Sequence, residues 1–112
     1  MWHELLKWLN KSSKQKLALA RVLFKDPSIV ILDEPSSALD AFAENELITT
    51  FNSALKNKTV IYISHRLSVA NYADKVIYIQ DGAIKGFDTH KNLLNNLPAY
   101  KSMYEAQAKH YQ

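Results

Sequence analysis

The chain has 112 residues, enough for one domain with one modest core. With 47% hydrophobic and 22% charged residues it has the balance of a folded soluble protein, which excludes wholesale disorder. The net charge of +3 is mild and the absence of cysteine excludes disulfides and thiolate metal sites.

A loose group of lysines, Lys7, Lys11, Lys14 and Lys16, reads as a solvated helix face, so no nucleic-acid partner is expected. No apolar run approaches the ~20 residues that span a bilayer. Met1 to Asn10 carries Glu4 and Lys7 among its apolar residues and lacks a basic start, so it does not read as a secretory signal. The cytoplasm is the expected compartment.

In chain order, Trp2, Leu5, Leu6, Trp8 and Leu9 suggest a short amphipathic helix whose tryptophans need a covering surface. Ser12 and Gln15 have the spacing of a capping box and predict a helix running through Phe24. Apolar residues surround most of its circumference, as in a buried helix. Lys25 complements its C-terminal dipole and Asp26-Pro27 ends it. Ile29 to Leu32 then form an unbroken aliphatic run, the pattern of a short strand buried on both faces of a parallel sheet. Pro35 cannot donate to a ladder, so the strand stops by Glu34.

Asp40 or Ser37 is placed to cap the next helix, in which Leu47, Ile48, Phe51, Ala54 and Leu55 share a face. Glu44 and Glu46 at its start and Lys56 and Lys58 at its end suit the macrodipole. Thr59 to Ile63 is a second aliphatic strand, so strand, helix and strand make a βαβ unit with a right-handed crossover. A short helix at Leu67 to Tyr72 leads to a strand at Lys75 to Gln80. Asp81-Gly82 predicts a two-residue hairpin, with Ala83 to Phe87 returning antiparallel. Asp88 or Thr89 caps a helix through Leu94, and Pro98 opens the last one. On it Tyr100, Met103, Tyr104, Gln107 and Tyr111 form a core-packing stripe.

The stretch Ile29 to Asp40, IVILDEPSSALD, carries the chemistry. It sets two carboxylates at the C-terminal edge of a buried strand, where open α/β sheets bind ligands. An aspartate there suits a magnesium ion held through its water shell, and a neighbouring glutamate suits polarising a water aimed at a phosphate. A strand end capped by solvated acids is the plainer reading of the same residues.

IVILDEPSSALD resembles the Walker B motif and D-loop of the ATP-binding cassette (ABC) family. LALARVLFKDPS resembles the helix after that family's signature, and VIYISHRLSVANYADKVIYIQDGAIKGFDTHKNLL resembles its histidine-switch strand and closing hairpin. The resemblance runs from about Lys14 to Gln107, and its tail is most similar to exporter-type cassettes that move peptides or lipids. It implies an α/β fold with a P-loop NTPase-like three-layer core. That core is partial: Walker B and histidine-switch strands are represented and the phosphate-loop strand is not.

The resemblance also implies roles. Asp33 matches the magnesium-holding Walker B aspartate, Glu34 the base that orients the attacking water, and His65 the switch histidine near the γ-phosphate. Ser37 and Asp40 fall in the D-loop, which communicates across a cassette dimer. ATP and Mg2+ are the implied cofactors. A transmembrane domain, the N-terminal half of a cassette and a second cassette packed head to tail are the implied partners, at the cytoplasmic face of a membrane.

Two departures accompany the matches. The only glycines, Gly82 and Gly86, lie at the hairpin, so no G-x-x-x-x-G-K-[ST] loop cradles the phosphates here. The glutamine loop and the adenine-stacking aromatic are also unmatched. The signature LSGGQ aligns either with Leu9 to Ser13 or, with a two-residue deletion, with Lys11 to Gln15, and neither frame holds a glycine. Ser12 and Ser13 at a helix N-terminus still suit an anion, with Lys11 or Lys14 adding charge. Residues 1–13 thus read as a divergent lead-in with a degenerate signature and 14–112 as the family-like region. The expectation is a truncated piece of an export-powering cassette, inactive alone. The alternative is a non-enzymatic interaction module or split-cassette subunit. Missing its phosphate-loop strand, the sheet is expected to expose unpaired edges.

Overall fold

The computed structural model describes residues 14–35 and 39–110. Expectations for the N-terminal tryptophan helix, the Ser12 cap and Tyr111 lie outside the described residues. The chain divides into two compact units, Met1–Ser64 and His65–Gln112.

The first unit contains α1 (Lys14–Lys25), β1 (Ile29–Asp33), α2 (Ala41–Ala54) and β2 (Thr59–Ile63). Helix α1 closes where Asp26 takes a left-handed backbone (φ 50) and donates its N–H to the Val22 carbonyl at 3.0 Å. Strands β1 and β2 pair in parallel, Ile29 with Thr59 through Asp33 with Ile63, as the βαβ reading requires. Leu19, Val30, Leu47, Phe51 and Leu55 form the core, with Leu32, Val60 and Tyr62 packed against it. One sheet face therefore meets both helices.

The opposite face corrects the expectation of a strand buried on both sides. Ile29, Ile31, Ile61 and Ile63 are 60%, 63%, 47% and 49% exposed. The period-2 alternation of a strand sends these four side chains away from the only helical layer described in this unit. Helix α1 is likewise covered on one face alone: Leu19 is buried, whereas Leu17 and Phe24 are exposed.

The predicted dipole role of Lys56 and Lys58 is also corrected. Helix α2 ends at Ala54 with no basic residue in its last turn. Lys58 instead pairs with the Asp26 carboxylate and donates to the Pro27 carbonyl at 2.7 Å, tying together the connections into β1 and β2.

The second unit begins with a 3-10 helix (Leu67–Tyr72), followed by β3 (Val76–Gln80), β4 (Ala83–Asp88), α3 (His90–Asn96) and α4 (Pro98–His110). Strands β3 and β4 form an antiparallel hairpin, so β2 and β3 lie in different sheets. Asp81 and Gly82 both have positive φ (52 and 75), the backbone of a two-residue turn whose twist matches the strands. Tyr78 pairs with Gly86 but Ile79 pairs with Ile84, leaving Lys85 as a bulge. Thr89 is the cap of α3, accepting from the Asn92 N–H at 3.1 Å.

Tyr78, Leu93 and Tyr100 form this unit's core, with Met103 and Leu97 against it. Tyr100 is wholly buried, as the stripe on the last helix predicts. Its hydroxyl lies 2.7 Å from Nδ1 of His90, and its ring meets Tyr78 edge-on at 5.5 Å. No helix among the described residues is long and apolar enough to cross a membrane.

Candidate nucleotide-hydrolysis site

Asp33 ends β1 and lies in register with Ile63, the last residue of β2. Glu34 turns out of the strand in the left-handed region (φ 49) while its N–H donates to the Ile63 carbonyl at 2.7 Å. A non-glycine residue there carries ~1–2 kcal/mol of backbone strain. The hydrogen bond and the buried Pro35 that follows hold the turn in place. The result is two consecutive carboxylates at the C-terminal end of a parallel pair, Asp33 exposed and Glu34 half-buried.

Of the sequence-predicted site residues, the structure thus brings Asp33 and Glu34 together. Asp40 is the N-cap of α2, its carboxylate accepting from the Ala43 N–H at 2.8 Å, which resolves the choice of cap. Ser12, Ser13 and Ser37 lie outside the described residues. His65 opens the second unit, its side chain exposed two residues beyond the end of β2.

Among the described residues no group of three or more His, Cys, Asp or Glu side chains is placed to hold a metal ion. Magnesium does not need such a group. It binds through one or two carboxylates and fills its octahedron with water and phosphate oxygens, and an exposed aspartate at a strand end fits that pattern. The hard carboxylate oxygens of Asp33 match the donor chemistry of such an ion.

Sequence reasoning missed one feature beside His65. The carboxamide of Gln107, on α4, donates from Nε2 to the His65 carbonyl at 2.7 Å and accepts from the Leu67 N–H at 2.8 Å. The only signal was a single amide in the otherwise apolar and aromatic stripe of the last helix.

The chain matches no protein-family model. It is 47% identical over 107 residues to the subtilin transport ATP-binding protein SpaT of Bacillus subtilis, covering 96% of this chain and 17% of that protein. It is 42% identical over 93 residues to the nisin transport ATP-binding protein NisT of Lactococcus lactis subsp. lactis, covering 83% of this chain and 16% of the relative. The ATP-dependent lipid A-core flippase of Haemophilus influenzae is 39% identical over 99 residues, 88% of this chain and 17% of the flippase. Among solved structures, a bacterial Atm1-family ABC exporter with ATP bound superposes with a TM-score of 0.73 at 34% identity, covering 85% of this chain and 17% of that one. The chain thus spans about a sixth of the length of the relatives it matches (17% of SpaT). These 112 residues belong to the ABC exporter family, as a stretch of its ATP-binding cassette.

Proposed function

We infer that these residues form the magnesium-holding and water-activating part of a cassette whose ATP hydrolysis drives export across a membrane. The observation that carries the reading is the Asp33-Glu34 pair at the C-terminal end of β1, with Glu34 hydrogen-bonded to the end of β2. Asp33 is the residue to hold Mg2+, and Glu34 the one to accept a proton from the attacking water. His65 is suited to hydrogen-bond a phosphate oxygen, and Ser37 and Asp40 belong to the loop facing a second cassette. ATP, when bound, supplies the phosphoanhydride bond and Mg2+ neutralises its phosphate charge.

The grip on the phosphates comes from residues other than these. Neither glycine is available for it, since Gly82 and Gly86 both lie in the β3–β4 hairpin. Residues 1–13 serve as a lead-in with a glycine-free signature around Ser12 and Ser13, and 14–112 as the family-like region of a partial P-loop NTPase core. The partners are a phosphate-loop half, a transmembrane domain and a second cassette, at the cytoplasmic face of the membrane.

The test is a cassette completed by joining this chain to a phosphate-loop half. Glu34→Gln is expected to abolish turnover while leaving ATP binding within about twofold. Undiminished hydrolysis overturns the assignment of the base. The chain alone is expected to bind Mg-ATP more weakly than micromolar, and tight binding by it overturns the division of labour.

The bare isoleucine face of β1 and β2 favours a second reading, a non-enzymatic module that binds a cassette or membrane subunit. Partner capture that survives Asp33→Ala and Glu34→Ala supports that reading over the first.

A further inference from the structure

We propose that Gln107 is a positioning residue for His65, through which the last helix fixes the backbone that carries the switch imidazole. The proposal rests on the assignment of His65 to a phosphate oxygen. One carboxamide grips both sides of Arg66, with Nε2 on the His65 carbonyl at 2.7 Å and Oε1 on the Leu67 N–H at 2.8 Å. Leu67 opens the 3-10 helix, where an amide has no partner within the helix itself. The His65 carbonyl lies beyond the β2 ladder, which ends at Ile63. A single side chain thus satisfies two backbone groups at the junction that regular structure leaves over.

While both bonds hold, the dihedrals between the His65 carbonyl and the Leu67 nitrogen are confined. The direction in which His65 leaves the backbone is confined with them. The chemistry of the clamp selects glutamine, because glutamate cannot donate to the carbonyl, asparagine is one methylene shorter, and leucine offers neither group. The arm that presents Gln107 is itself fixed. Tyr100, two helical turns earlier on α4, is wholly buried against Tyr78 and hydrogen-bonded to His90. Small displacements of a group acting on a reacting phosphate cost large factors in rate, which gives such a clamp a catalytic consequence.

The test uses the full chain joined to a phosphate-loop half. Gln107→Leu is expected to lower kcat for ATP about tenfold with KM within about twofold. Gln107→Glu, which keeps the acceptor and loses the donor, is expected to fail as well. In a His65→Ala background Gln107→Leu is expected to add no further loss. Hydrogen exchange at the Leu67 amide is expected to quicken at least tenfold, while that at the Leu93 amide, bonded to Thr89, stays unchanged. A loss of equal size in both backgrounds, or unchanged Leu67 exchange, overturns the clamp. Full turnover in His65→Ala overturns the assignment of the histidine instead, and a loss in His65→Ala without one in Gln107→Leu overturns the clamp alone.

Discussion

The N–H of Glu34 donates to the carbonyl of Ile63 at 2.7 Å while the Glu34 backbone sits in the left-handed region (φ 49). The bond extends the β1–β2 ladder by one residue beyond Asp33, into a conformation that side chains other than glycine's resist. A carboxylate is therefore presented at a position where glycine would be the more comfortable residue.

That relationship yields a stability prediction separate from turnover. Glu34→Gly is expected to be more stable than Glu34→Ala by about 1 kcal/mol, because alanine keeps the strain and glycine releases it. Denaturant unfolding of the two variants measures the difference, and equal midpoints would mean the turn is unstrained. Both variants lack the base, so both are expected to be inactive in a completed cassette.

The β1 and β2 strands, the Asp81-Gly82 turn and the Pro98 helix start were legible because each rests on local chemistry: aliphatic runs, a dipeptide that accepts positive φ, and an imino acid without an N–H. The carboxylate pair was legible for the same reason, since Pro35 ends the strand just after it. Burial was not. Ile29 and Ile31 are as hydrophobic as Val30, and which face meets a helix depends on how many layers surround the sheet. The Gln107 clamp was hidden because it joins residues far apart in the chain, and no periodicity encodes it.

His90 gives the second unit a pH dependence. Burial beside Tyr100 and Tyr104 holds its imidazole below the usual value of 6.5, so the folded state favours the neutral ring. The unfolded chain then binds more protons below that value, and stability is full above pH 6.5 and lost as pH falls below it. The thermal midpoint is expected to fall on acidification through that window, and His90→Gln is expected to flatten this part of the profile. An identical profile in the variant would refute the assignment.

The two glycines are expected to respond differently to alanine. At Gly82 the added Cβ meets nothing within 4 Å, but φ is 75, so the cost is conformational, about 1 kcal/mol. At Gly86 φ is not the obstacle. The Cβ would stand 2.9 Å from Leu93 Cδ2 and 3.2 Å from Leu97 Cδ2, so the ends of these two leucine side chains must shift, at about 1 kcal/mol. Leu93→Ala is expected to recover part of the Gly86→Ala loss and none of the Gly82→Ala loss, as a double-mutant cycle in urea would measure.

The four exposed isoleucines bear on how the chain behaves alone and in a complete cassette. Ile31 and Ile61 are register partners on the bare face, 63% and 47% exposed, in a sheet of two strands whose outer edges are unpaired among the described residues. An apolar face with open edges favours self-association, so the separate chain is expected to sediment with a mass that rises with concentration. Ile31→Lys with Ile61→Lys is expected to reduce that association at little cost to folding, because exposed substitutions cost about 0.5 kcal/mol or less. In a completed cassette the same pair is expected to be destabilising by several kcal/mol, because a second helical layer would bury both charges. A separate wild-type chain that is monomeric and melts cooperatively refutes the first expectation. A completed cassette indifferent to both lysines refutes the second, and leaves the isoleucine face as a surface that the rest of the cassette does not cover.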